Sequence, residues 1–336
     1  MPDTTQLSGN KKCTFASVVK IFLGNRSGVL LLLPALIAMY VLTNWCLGYH
    51  VPETNSTGFF GISLNEDQMW VKIAGPLLIL INAILLNNIF NRNGFMDRNI
   101  YLPALLYVIF RSYFHSFYFL NGFIVAEFLL ILALIQLFKL DQSSDGRRPV
   151  FNAAFLLGLA TTMYPLMMIS IPFIFLMIWV LRPFVIRESA LAVVGFILPL
   201  LYAGFYGTVF GVELTGEFFS SASDEWKFPD IFVIGGGAFL LQLIATGPVV
   251  SKMNKSSIRL KKVFRLNILL SLFIVSLSFV EFLVFGKIES MAMITGILIL
   301  FLPYGFGERN PRLLPTLLLY LIFFFSVGKF FISIEF

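Results

Sequence analysis

The residues best suited to chemistry lie in one apolar stretch, Tyr101 to Lys139, which reads as two helices joined by a tight turn near Phe119. Arg111 falls eight residues before that apex and Glu127 eight residues after it. At ~1.5 Å of rise per helical residue, both lie roughly 12 Å below the turn. Unpaired charge in hydrocarbon is costly, so a guanidinium and a carboxylate at one depth predict a buried pair. His115 follows Arg111 by four residues, which predicts the same helical face one turn nearer the apex. A guanidinium takes phosphate bidentately, and a histidine beside a glutamate can hold or release a proton. The same residues also suit a plain structural clamp.

Other ionisable residues cluster toward the same half of the chain's apolar layer. Glu66 and Asp67 stand where the second long apolar run begins, placed as a carboxylate base would be. Glu281 lies in the run SFVEFLVF, as a snorkelling contact or a proton carrier. On the opposite side, the loop Phe90–Asn99 (FNRNGFMDRN) carries Arg92 and Arg98, which suit an anionic head group or phosphate. It also reads as a turn at Asn93-Gly94 with Asn99 capping the next helix. There is no G-x-x-x-x-G-K-[ST] phosphate loop, H-E-x-x-H, C-x-x-C or G-x-S-x-G. With two histidines, and with Cys13 and Cys46 at opposite ends of the first span, neither a metal site, a cofactor nor a disulfide is expected.

The elements that must position these residues are membrane helices. Of 336 residues, 58% are hydrophobic and 12% charged, about half the charged share of a soluble protein. Several apolar runs approach the roughly 20 residues that span a bilayer. The fold expected is all-α, a polytopic helical bundle of about eleven spans, near 28–47, 70–90, 101–117, 121–139, 150–163, 165–181, 189–209, 229–250, 265–285, 290–305 and 313–333. Residues 1–27 form a cytoplasmic lead with a short amphipathic helix around Phe15, Val18, Val19 and Phe22, and 28–336 form one membrane domain. No cleavable signal peptide is expected ahead of the first long run.

With the N-terminus inside, nineteen of the 24 lysines and arginines fall in cytoplasmic segments, six of them between Lys252 and Arg265. The formal net charge of +6 therefore reports topology, and nucleic acid is not the expected partner. Val150–Leu181 is long for one span and short for two. Proline ends a helix, so the break is set at Tyr164-Pro165, leaving a first half of about 14 residues, roughly 21 Å. Two hairpins with recessed turns, near 119 and near 164, predict a polar hollow open to the outer side.

An FNA start at Phe151–Ala153, a GLA run at Gly158–Ala160, the Tyr164-Pro165 break, an RPF-x-x-RE loop at Arg182–Glu188 and a GFxLP span at Gly195–Pro199 follow one another. In this order of features the chain resembles an uncharacterised family of multipass inner-membrane proteins from Bacteroidota. The resemblance covers about half the chain. It implies a bacterial inner membrane with periplasm outside, and supplies no activity.

Three functions fit these residues. One is an envelope-biogenesis enzyme resembling the glycosyltransferases that use polyprenyl-phosphate sugars. Glu66 or Asp67 would be its base, and Arg111 with His115 would hold the lipid phosphate. Another is a proton-coupled transporter or lipid-handling protein working through His115 and Glu127. The third is a non-enzymatic subunit or assembly factor that binds another membrane protein. Membrane lipids are partners in all three.

Overall fold

The computed structural model describes residues 17–24, 26–47, 68–140, 145–211, 228–285, 290–307 and 312–332. Glu66, Asp67, Cys13 and the acidic loop after Phe210 lie outside the described residues, as does the His115 side chain. Within a bilayer every backbone N–H and C=O needs an internal partner, and an apolar chain rich in Leu, Phe and Ile meets that demand as helix.

Among the described residues there are helices and turns but no strand. The helices are α1 (Ser17–Phe22), α2 (Leu32–Leu47), α3 (Met69–Arg92), α4 (Leu102–Arg111), α5 (Gly122–Leu140), α6 (Arg147–Met163) and α7 (Ser170–Leu181). They continue as α8 (Ile186–Phe210), α9 (Phe228–Lys255), α10 (Ile258–Phe285), α11 (Met291–Leu298), α12 (Pro303–Phe306) and α13 (Leu313–Ile332). By length and composition, six helices among the described residues are able to cross a membrane: α2 with the 3-10 turn before it, α3, α5, α8, α10 and α13. This is a membrane-embedded, multipass helical protein.

The central hairpin is the core. Every residue of α4 is buried. Two-thirds of the α5 span (67%) is buried, against 28% for α2 and α8 at the periphery. α6 and α8 approach so closely that a Cβ on Gly158 would stand 2.3 Å from the Phe196 carbonyl oxygen, and one on Gly195 2.8 Å from that of Phe151. Small residues at such crossings give membrane helices their packing surface.

Long-range bonds gather the basic loops at one end of the bundle. The Tyr101 N–H donates to Phe22 O (2.8 Å), Lys252 meets Asp97 (2.7 Å) and Lys262 donates to Leu181 O (2.9 Å), next to the local Arg182–Glu188 pair (3.3 Å). The opposite end is tied by the Leu120 N–H to Val71 O (3.1 Å), Lys329 to Ser112 O, and Tyr164 to Glu281.

Several boundaries differ from the sequence reading. The segment expected as one helix over 101–117 is helical only to Arg111; residues 112–121 are non-helical apart from a 3-10 turn at His115–Phe117. The expected break at Tyr164-Pro165 is present, but α6 reaches back to Arg147, so it has 17 residues and a length of about 25 Å. The run 290–305 divides into α11, a turn and α12, whose second half starts at Pro303. Asn99 does not cap the following helix. α4 starts at Leu102 after Tyr101, and it is Asn91 that bonds both the N–H and the C=O of Ile100. The turn at Asn93-Gly94 is as expected, with Gly94 at φ 68°. α1 lays Val19 and Phe22 against the protein with Lys20 and Ile21 exposed.

Candidate functional site

Arg111 is the last residue of α4, and Glu127 lies in the second turn of α5. Their side chains meet at 2.8 Å between Nη2 and Oε2, with side-chain exposures of 0% and 4%. The pair forms although the geometry expected for it differs: α4 stops at Arg111, so the return to α5 is made by the irregular segment, which also takes His115 off the α4 face. Most of that segment is buried, and several of its polar groups are met internally. Asn121 caps α5 by accepting from the Ile124 N–H (3.1 Å), and the Tyr118 hydroxyl donates to Ser112 O (2.7 Å).

Around the pair stand groups that the sequence reading passed over. The Tyr107 hydroxyl donates to Glu127 Oε2 (2.9 Å) and accepts from Asn82 Nδ2 (3.3 Å). The Arg111 guanidinium lies 5.1 Å from the Phe123 ring centre and 6.0 Å from that of Tyr107. Ring faces attract such a cation. Among the described residues, Nε and Nη1 of Arg111 have no hydrogen-bond acceptor, so there the rings and one carboxylate face its charge. Gly296 on α11 closes the other side: a Cβ there would stand 2.9 Å from Glu127 Oε1. A cavity of about 10 Å³ adjoins the carboxylate between Leu86, Leu130, Met293 and Gly296, which is room for one water.

A second buried carboxylate lies at the same end. Glu281 accepts from the Tyr164 hydroxyl and from both the hydroxyl and the N–H of Ser290, the latter at 2.8 Å. Tyr164 is the residue at the proline break. Its extended backbone (φ −139°, ψ 96°) is what a following proline imposes. Its ring packs edge-on against Phe123 at 5.3 Å, so one aromatic pair separates Glu281 from Arg111.

Arg92 and Arg98 are not brought to this cluster. Arg92 is exposed at the end of α3 and Arg98 is half-buried in the next loop, both at the basic end. Glu66 and Asp67 lie just ahead of the described start of α3, whose first turns carry the hairpin apex. Gly75 there is so close to Phe119 that a Cβ would stand 2.7 Å from its carbonyl carbon. Tyr107 and Phe123 carried no signal apart from being aromatic in an aromatic-rich chain, and Tyr164 was marked only as the residue before the proline break. Among the described residues, no group of three or more His, Cys, Asp or Glu side chains is arranged to hold a metal ion. The chain matches no family model, no curated protein and no solved structure, so the site stands on its own geometry.

Proposed function

We propose that this chain is a bacterial inner-membrane protein crossing the bilayer eleven times, with its N-terminus cytoplasmic, and that it belongs with the Bacteroidota family it resembles. The topology is supported by the contacts that gather α1, the Arg92–Arg98 loop, the Arg182–Glu188 loop and the Lys252–Lys262 turn at one end. Positive charge at one end marks the cytoplasmic face. In this reading Arg92 and Arg98 contact anionic lipid head groups.

For activity, we propose a glycosyltransferase-like enzyme of envelope biogenesis that uses a polyprenyl-phosphate sugar. The observation that carries it is the docking of the hairpin apex on the first turns of α3, through Leu120 N–H to Val71 O and the Gly75–Phe119 contact. Asp67 and Glu66 immediately precede those turns in the chain. One of them takes the proton of the acceptor hydroxyl as its oxygen bonds the sugar. The bond from sugar to phosphate breaks, and its electrons leave with the lipid phosphate. Arg111 is committed to Glu127 and holds the apex rigid. Lys72, half-exposed one turn into α3, and His115 are the residues assigned to the phosphate.

The test is transfer of labelled sugar from a polyprenyl phosphate by membranes containing the chain. Glu66→Gln or Asp67→Asn should abolish transfer while the protein stays folded; full transfer in both variants eliminates the enzyme. A second reading, a proton-coupled carrier, is favoured by the water-sized cavity at Glu127. It requires the pH dependence of uptake to change in Glu127→Gln. A subunit or assembly factor would instead co-purify with a partner in mild detergent.

A further inference from the structure

The end of α4 leaves carbonyls without helical donors, and in this protein the end is buried, with Ser112 0% exposed. Two donors from outside the helix converge on Ser112 O: the Tyr118 hydroxyl at 2.7 Å and the ammonium of Lys329, 217 residues away. Lys329 belongs to the last turn of α13 and is 6% exposed. Its ammonium lies 5.0 Å from the ring centre of Tyr113, 5.4 Å from that of Tyr118 and 5.0 Å from that of Phe330. A cation at a helix C-terminus, ringed by aromatic faces, is favourably placed on both counts. Two more bonds fasten the same helix: the Tyr113 hydroxyl donates to Ile322 O (2.7 Å), and Tyr40 and Ser326 share a hydrogen bond of 2.5 Å.

We infer that the last turns of α13 are a clasp on the non-helical segment 112–121, and that Lys329 is the positioning residue that closes it and, through Ser112, sets Arg111. The inference is independent of the enzyme reading, because it concerns what holds the segment and not what acts there. Lysine inside a membrane helix is costly, and a buried aromatic cage around it is the arrangement that offsets the cost. Releasing the clasp would uncover the apex at the end of the bundle away from the basic loops.

The experiment uses the full chain in membrane fragments open on both sides, with Cys13 and Cys46 replaced by serine. Ser116→Cys serves as reporter, since Ser116 is 0% exposed and, among the described residues, its hydroxyl has no hydrogen-bond partner to lose. A membrane-impermeant maleimide should leave this parent protected. Lys329→Met should label about tenfold faster, a ratio equivalent to about 1.4 kcal/mol of opening, and Lys329→Arg should restore protection. Parent-like protection in Lys329→Met, or labelling of Lys329→Arg as fast as the methionine variant, overturns the clasp. Where Lys329→Met does not accumulate, Tyr118→Phe decides: it keeps ring and lysine and removes one bond to the carbonyl. Faster labelling than the parent supports the clasp, and the parent rate overturns it.

Discussion

Replacing Arg111 with leucine would leave Glu127 inside the bundle without its cation, and replacing Glu127 with leucine would leave the guanidinium with rings alone. Each is buried, at 0% and 4% side-chain exposure, and they meet at 2.8 Å, so neither recovers solvent when its partner goes. Loss of one member of such a pair costs about 3–5 kcal/mol. The double variant removes both charges together, but it still takes from the Tyr107 hydroxyl its acceptor on Glu127. A buried donor left unmade costs about 1–3 kcal/mol. Among the described residues Asn82 Oδ1 has no hydrogen-bond partner, so a turn of that amide can accept from Tyr107 and bring the double variant to the low end of this range. The expected coupling is therefore at least about 3 kcal/mol. A double-mutant cycle on unfolding free energy in bicelles measures it. Additive losses, with the double variant as damaged as the sum of the singles, would refute the reasoning.

Three further outcomes follow from the packing and the second carboxylate. Gly158→Ala drives a methyl to 2.3 Å from the Phe196 carbonyl oxygen and should lower stability by about 1–3 kcal/mol as α6 and α8 separate, read as an earlier melting transition in detergent. Gly296→Ala sets a methyl 2.9 Å from Glu127 Oε1 and should cost a similar amount, and less in a Glu127→Ala background where the opposing oxygen is gone. Tyr164→Phe removes a donor to Glu281 and should destabilise by about 1–3 kcal/mol, while Tyr164→Ala should cost more by also losing the contact with Phe123.

The meeting of Arg111 and Glu127 was legible because charge inside an apolar run has few options. The geometry around it was less so, and for a local reason. Residues Ser112 to Tyr118 are serines, aromatics and a histidine, mediocre helix formers whose fate is decided by tertiary partners. The decisive partner, Lys329, is 217 residues distant and reads from sequence as an ordinary basic residue at a helix end. Proline made the Tyr164-Pro165 break readable, since its effect on the backbone is local. That Tyr164 would reach Glu281 was not readable, because the bond depends on how α6 packs against α10. Asn99 looked like a cap by composition, but Asn91 binds Ile100 and carries the chain on to start α4 at Leu102.

A cryo-EM map of the full chain in lipid nanodiscs, resolved at side chains, tests the central claim directly. The account predicts α4 ending at Arg111, joined density between its guanidinium and the Glu127 carboxylate, and the backbone of Phe119 seated on Gly75. An α4 that continues as helix through Phe117 with Arg111 turned toward lipid would contradict it.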